Sequence, residues 1–103
     1  MVVLSERATS AIERFAKLAE RSQLESRSER RVDMASRYAS SRAALTPRQL
    51  AILDMTVLKR RTLSDLAAQT GQSPEALGLL LSSAGESLAD HFEEADVRKG
   101  WQG

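Results

Sequence analysis

Apolar residues recur three and four positions apart along most of the 103-residue chain, which is the spacing of amphipathic helices. After a capping Ser5, this spacing predicts a first helix that continues to about residue 20. The pattern is lost between residues 22 and 31, so this stretch is either a solvated continuation of the helix or a linker. It resumes at Val32, where we expect a second helix.

Three further helices begin at recognisable capping residues. Thr46 precedes Pro47, and proline is tolerated at the first helical position because an amide there would have no partner. Thr62 is a second capping residue, and Gly71 ends the short helix that follows it, where glycine allows a positive φ at the turn. Ser73 then caps the last predicted helix.

These patterns together predict a small all-α protein. The predicted helices span 6–20, 32–44, 47–60, 63–70 and 74–91. Only four aromatic residues and five Gly, with no alternating strand pattern, favour helices over sheet. The last three helices have the spacing of a tri-helical helix-turn-helix unit. We expect a basic N-terminal helical region of one or two helices (1–44), a helix-turn-helix domain (45–92) and a C-terminal tail (93–103).

The net charge of +1 conceals a strong asymmetry along the chain. Residues 1–61 contain 13 Lys and Arg against 7 Asp and Glu, whereas residues 62–103 contain 2 against 7. This division indicates either a basic arm that binds nucleic acid or two halves that neutralise each other in the fold. The sequence leaves both interpretations open.

The segment from Leu45 to Phe92 resembles a known family of helix-turn-helix domains. Its stretches "LTPRQLAIL" and "TLSDLAAQTGQSPEALGLLLSSAGESL" are similar to the fourth region of bacterial sigma factors and to the related LuxR-type output domains. The resemblance implies a third helix that reads promoter DNA in the major groove, and a surface that docks on RNA polymerase. The buried side of that helix would be formed by Leu77, Leu81, Ala84 and Leu88.

The third helix departs from the family in its charge. Its outward positions lack Lys and Arg, and they are Gly78, Leu80, Ser82, Ser83, Gly85 and Glu86. Because phosphate neutralisation supplies most non-specific DNA affinity, we expect other segments to provide the cations. The candidate DNA-binding residues are Arg42, Arg48, Lys59, Arg60 and Arg61 for phosphates, and Ser82 and Ser83 for bases. The three cations at 59–61 also suit the negative end of a helix dipole, which is a purely structural alternative.

Leu79 and Leu80 lie beside the predicted core stripe of the third helix. One interpretation is that the N-terminal helices fold back and bury them in a bundle of four or five helices. The other is that they form a docking surface for a protein partner, with Trp101 as a further contact. That partner would be RNA polymerase, another regulator or a second copy of the chain.

We therefore expect a small transcription regulator that binds DNA, the transcription machinery or both. The alternative is a protein-interaction module that retains the helix-turn-helix fold. An enzyme is not expected, because His91 is the only His and no nucleophile with a base, metal-ligand cluster or phosphate loop accompanies it. No cofactor or metal is expected. The absence of Cys and of a run of about 18 apolar residues suits a cytoplasmic protein without membrane contact.

Overall fold

The computed structural model describes residues 4–24 and 31–101, and the side chains of residues 4–22 and 36–97. Every regular element in these ranges is a helix, which confirms the all-α prediction. The helices are α1 (Glu6–Leu24), α2 (Arg31–Ala43), α3 (Pro47–Leu53), α4 (Leu63–Thr70) and α5 (Pro74–Trp101), with the turn Asp54–Leu58 continuing α3.

The helices α1 and α2 pack against each other through aromatic rings. Ser5 caps α1 as predicted, since its Oγ accepts a hydrogen bond from the Ala8 amide at 3.1 Å. The fully buried Phe15 ring lies 5.3 Å from the Tyr38 ring of α2. α1 extends to Leu24, beyond the predicted end at residue 20, and α2 begins at Arg31. The remainder of the uncertain stretch, residues 25–30, lies outside the described residues.

α3 begins with the predicted cap and ends in a widened turn. The Thr46 Oγ1 accepts from the Gln49 amide at 3.2 Å, while the Gln49 Oε1 accepts from the Thr46 amide at 2.9 Å, which completes a capping box. From Asp54 the helix widens to π-helical geometry, and the Lys59 amide reaches back to the Asp54 carbonyl at 3.0 Å. This extra residue per turn shifts the following side chains around the axis, and Leu58 is 43% exposed.

α4 and α5 are joined by a short turn that begins with Gly71 and ends with Ser73. Thr62 accepts from the Asp65 amide at the start of α4, and Ser73 accepts from the Ala76 amide at the start of α5, both at 3.1 Å. Gly71 has a φ of 74°, the left-handed conformation predicted for it. The turn chemistry deduced from the sequence is therefore confirmed.

α5 is longer than predicted. It continues through Trp101, although the sequence suggested an end near residue 91 and a tail from 93. Two acidic residues of the expected tail, Glu93 and Asp96, bind arginines of α1, and these contacts support a helix that the apolar pattern does not mark.

A single hydrophobic core contains residues of both the N-terminal region and the proposed helix-turn-helix domain. α5 runs through its centre and is contacted by α1, α3 and α4. The core comprises Ala11, Phe15, Leu45, Ile52, Leu53, Leu66, Leu77, Ala84, Leu88, Ala89 and Phe92. The N-terminal helices therefore fold back onto α5, as one of the two interpretations of the sequence proposed, but Leu79, which that interpretation buried, stays exposed.

Candidate nucleic-acid and protein interfaces

One arginine of α1 binds three acidic residues that lie along α5. Glu86, Asp90 and Glu93 are four and three positions apart, so they form a row on one side of the helix, here called the carboxylate row. The Arg7 Nη1 lies 2.5 Å from the Glu86 Oε2, and the Arg7 Nε lies 2.9 Å from the Glu93 Oε1. The Arg7 Nη2 also binds Asp90. Arg7 thus neutralises much of the charge that the row would otherwise present to solvent.

The acid strengths of the row follow from these contacts. Hydrogen bonds from Ser5, at 2.6 Å, and from Arg7 hold the pKa of Glu86 below its usual value. The hydrogen bonds from Arg7 also lower the pKa of Glu93. The same contacts raise the pKa of Arg7, because its guanidinium makes hydrogen bonds to the carboxylates of Glu93, Asp90 and Glu86. All four side chains remain more than a third exposed, so the arrangement is a surface ion cluster.

A second arginine of α1 continues the same interface. The Arg14 guanidinium makes two hydrogen bonds of 3.0 Å to the Asp96 carboxylate, and these raise the pKa of Arg14. It also lies over the Phe92 ring, 4.5 Å from its centroid. For these residues the basic and acidic parts of the chain neutralise each other, as the structural interpretation of the charge asymmetry proposed.

α1 and α5 run in the same direction and approach each other closely. The direction follows from the contacts, which step from Ala8 with Gly85 to Arg14 with Phe92. A Cβ atom placed on Gly85 would lie 2.7 Å from the Ala8 Cβ and 3.0 Å from its Cα. The missing side chain of Gly85 therefore allows this close approach.

A buried glutamine connects α3 to α5. The Gln49 Nε2 donates to the Ser83 Oγ at 2.8 Å and to the Ser87 Oγ at 3.3 Å. Ser83 is exposed, but its Oγ already accepts the hydrogen bond from Gln49 between the two helices. Ser82 is half-buried. These are the positions of the two serines proposed to contact bases.

Arg42 is occupied by contacts inside the fold. It makes hydrogen bonds of 2.8 and 3.3 Å to the Asp54 carboxylate and one of 3.1 Å to the Tyr38 hydroxyl. The bonds to Asp54 are the main reason why the pKa of Arg42 is raised. Arg42 is one of the proposed phosphate contacts, and its charge is already paired with Asp54 in the folded chain.

The other proposed cations are exposed. Lys59, Arg60 and Arg61 follow the widened turn consecutively and are here called the basic corner. Their side chains make no hydrogen bond or ion pair within the part of the chain that the structure describes. Arg48 is also exposed but lies in the first turn of α3, at the opposite end of that helix from the corner.

The backbone of the basic corner is strained at its middle residue. Arg60 has a φ of 55°, and the left-handed conformation costs a residue with a Cβ about 1–2 kcal/mol. The Arg61 amide, on the far side of this residue, bonds to the Met55 carbonyl at 3.0 Å. The reversal at Arg60 thus ends the widened turn.

The residues proposed for protein contact differ in how far they are buried. Leu79 is 62% exposed, whereas Leu80 is half-buried and packs against the hydrophobic core. The side chain of Trp101 lies outside the described residues. The exposed leucine pair expected from the sequence is therefore reduced to Leu79.

Sequence reasoning did not single out Arg7, Arg14 or Gln49. The signal for the arginines was present, since they are seven residues apart and the acidic residues of α5 recur at helical spacing. Matching the two patterns requires knowledge that α1 lies beside α5 in the same direction. Gln49 was visible as the third residue after the Thr46 cap, which is where a capping box places its Gln.

Comparison with known proteins gives no relative from which a function can be transferred. No family model matches the chain, and neither a curated protein nor a solved structure shows significant similarity to it. Within the described ranges, no helix combines the length and the apolarity needed to cross a membrane. The described side chains also contain no group of three His, Asp or Glu placed to hold a metal ion.

Proposed function

We propose that the protein is a small transcription regulator that binds DNA through its phosphates, using the basic corner. In this proposal α3, α4 and α5 form a helix-turn-helix unit of the sigma-region-four kind. Three features support that unit: the capped helices, the left-handed Gly71 between α4 and α5, and the burial of Leu66 and Leu77 in the same hydrophobic core.

The observation that carries the proposal is the distribution of unpaired positive charge. Arg7, Arg14 and Arg42 are each bound to carboxylates within the fold. The basic corner instead presents three consecutive exposed cations immediately before α4. Exposed cations of this kind displace counterions from a nucleic-acid backbone, and this displacement drives non-specific binding.

The exposed surface of α5 offers little for reading bases. Its first turns present Glu75, Ala76 and Leu79 to solvent and no cation. Ser83 retains a hydroxyl proton for donation, although its oxygen accepts from Gln49. We therefore expect binding that depends strongly on salt and weakly on sequence.

Duplex binding measured across a salt series tests the proposal. Three phosphate contacts predict that log K falls with log salt at a slope of about −3. The variant Lys59→Ala/Arg61→Ala should reduce the slope to about −1 and weaken binding equally for unrelated sequences. Arg60 is left unchanged in this variant so that its backbone strain does not alter stability.

The matched control is Lys17→Ala/Arg21→Ala, which also removes two exposed cations. These residues share the outer side of α1 with the exposed Glu13 and Glu20, so this surface is not basic. The control should bind as the unaltered protein does. Equal losses in the two variants would show that only net charge matters, and absence of salt-dependent binding by the unaltered protein would refute the proposal.

A second candidate function is protein interaction through α5. It is favoured by the 62% exposure of Leu79 on a helix that has no cation in its exposed first turns. In this alternative the chain keeps the helix-turn-helix fold and docks on an RNA polymerase subunit or another regulator. The exposed leucine would be buried in that contact.

Binding to purified RNA polymerase, measured with Leu79→Glu, tests this candidate. A charge at Leu79 should abolish binding and leave the melting temperature nearly unchanged, because the site is exposed in the free protein. Ala68→Glu, on the exposed side of α4, adds the same charge elsewhere and should have no effect. Polymerase binding that survives Leu79→Glu would contradict the candidate.

A further inference from the structure

Two helices of this protein end in a left-handed residue, but the residue types differ. At the end of α4 the residue is Gly71, with a φ of 74°. At the end of the widened turn after α3 it is Arg60, with a φ of 55°. Among the described residues Arg60 is the only non-glycine with a positive φ. Glycine adopts this conformation without a steric penalty, so an arginine at this position fits the backbone less well than glycine would.

The fold makes no use of the Arg60 side chain. It is exposed and forms no hydrogen bond or ion pair within the described part of the chain. A cation near a helix end interacts favourably with the helix dipole, but Lys59 and Arg61 provide that charge on either side without a positive φ. The left-handed backbone at Arg60 lets the Arg61 amide close the widened turn, but no contact of the described chain requires an arginine side chain at this position.

We infer that Arg60 is the main phosphate-binding side chain of the basic corner. An arginine in the left-handed conformation lowers the stability of the fold, and in return it provides this contact. The ligand is the phosphodiester backbone of duplex DNA, which a guanidinium binds with two parallel hydrogen bonds. This inference rests on the proposed function and deepens it, because it assigns unequal roles to three cations that are adjacent in sequence.

The test is the variant Arg60→Gly, whose stability and affinity should change in opposite directions. Its melting temperature, measured in about 0.5 M salt to screen the helix dipole, should rise by a few degrees. Its affinity for a duplex probe in about 0.1 M salt should fall by more than the roughly tenfold effect of releasing one counterion, because the paired hydrogen bonds of the guanidinium are lost as well. Arg60→Asn, which also tolerates the left-handed region without a charge, should lose the same affinity.

Two comparisons make the result decisive. Lys17→Ala removes an exposed cation from α1 and should change neither quantity, while Lys59→Ala and Arg61→Ala should each lose less affinity than Arg60→Gly. If the unaltered protein binds duplex DNA and Arg60→Gly binds it equally well, this inference is wrong and the proposed function stands. If Arg60→Gly does not raise the melting temperature, the strain argument is wrong. If the unaltered protein does not bind, the proposed function fails first.

Discussion

The close approach of α1 and α5 at Gly85 leads to a prediction that opposes helix propensity. Gly85 lies in the interior of α5, where replacement of glycine by alanine normally stabilises a helix by about 1 kcal/mol. Here the added Cβ would lie 2.7 Å from the Ala8 Cβ, 3.0 Å from the Ala8 Cα and 3.1 Å from the Ala8 carbonyl oxygen. Two of these three neighbours are backbone atoms, so a side-chain rotation cannot relieve the contact.

The expected outcome for Gly85→Ala is therefore a net loss of stability. Overpacking of a core contact costs about 1–3 kcal/mol, and the rigid neighbours favour the upper part of this range. After subtraction of the propensity gain, the free energy of unfolding should fall by about 1–2 kcal/mol. For a domain of this size that corresponds to a decrease of roughly 5–15 °C in melting temperature.

A double-mutant cycle in urea identifies the cause. Ala8→Gly removes the nearest of the three atoms, so Ala8→Gly/Gly85→Ala should lose less stability than the sum of the two single losses, although the second glycine has its own cost of about 1 kcal/mol. The coupling between the two sites should be about 1 kcal/mol. If Gly85→Ala instead raises stability by its helix propensity alone, with no coupling to residue 8, then α1 and α5 do not approach as described.

Two further predictions concern polar contacts of α5. Because the pKa values of Glu86 and Glu93 are lowered in the folded state, their ionised forms stabilise the fold above the usual value of 4.5. This stability should be lost as the pH falls through the lowered pKa values of these two carboxyl groups. Arg7→Ala should make the stability measured by urea melts at pH 3–7 less dependent on acid. An unchanged pH profile in Arg7→Ala would refute the role of Arg7. Gln49→Ala should cost about 1–3 kcal/mol in the same assay, because it breaks the capping box and the bonds to α5, whereas the exposed Gln69→Ala should stay within about 0.5 kcal/mol.

Local chemistry made the helix starts predictable. Thr46, Thr62 and Ser73 each cap the helix expected of them, and Gly71 adopts the expected positive φ. These features depend on residues only three or four positions apart, so the sequence alone shows which groups will meet. The apolar stripe of the last helix was predicted in part: Leu77, Ala84 and Leu88 are buried as expected, whereas Leu81 is half-buried. Gly78 and Gly85, which were expected to face outward, are buried.

The remaining features depend on which helices become neighbours. The C-terminal part of α5 has no apolar pattern that marks it as helical beyond residue 91, and its ion pairs with α1 join residues about 80 positions apart. The partial burial of Leu80 was not predictable for the same reason, because the burial of a helical position depends on which other element packs against it. The widened turn at Asp54–Leu58 was not predicted either, and it leaves Leu58 exposed.

Intramolecular pairing decides which charges of this chain remain for a partner. The sequence contrasts a basic half with an acidic half, but Arg7 and Arg14 bind the acidic side of α5, and Arg42 binds Asp54. The negative charge of α5 is thus partly neutralised by arginines of α1. The basic corner keeps its charge because the described part of the chain places no carboxylate against it. A net charge of +1 is therefore compatible with a local cationic site, and that site, rather than the overall charge, is what a nucleic acid would meet.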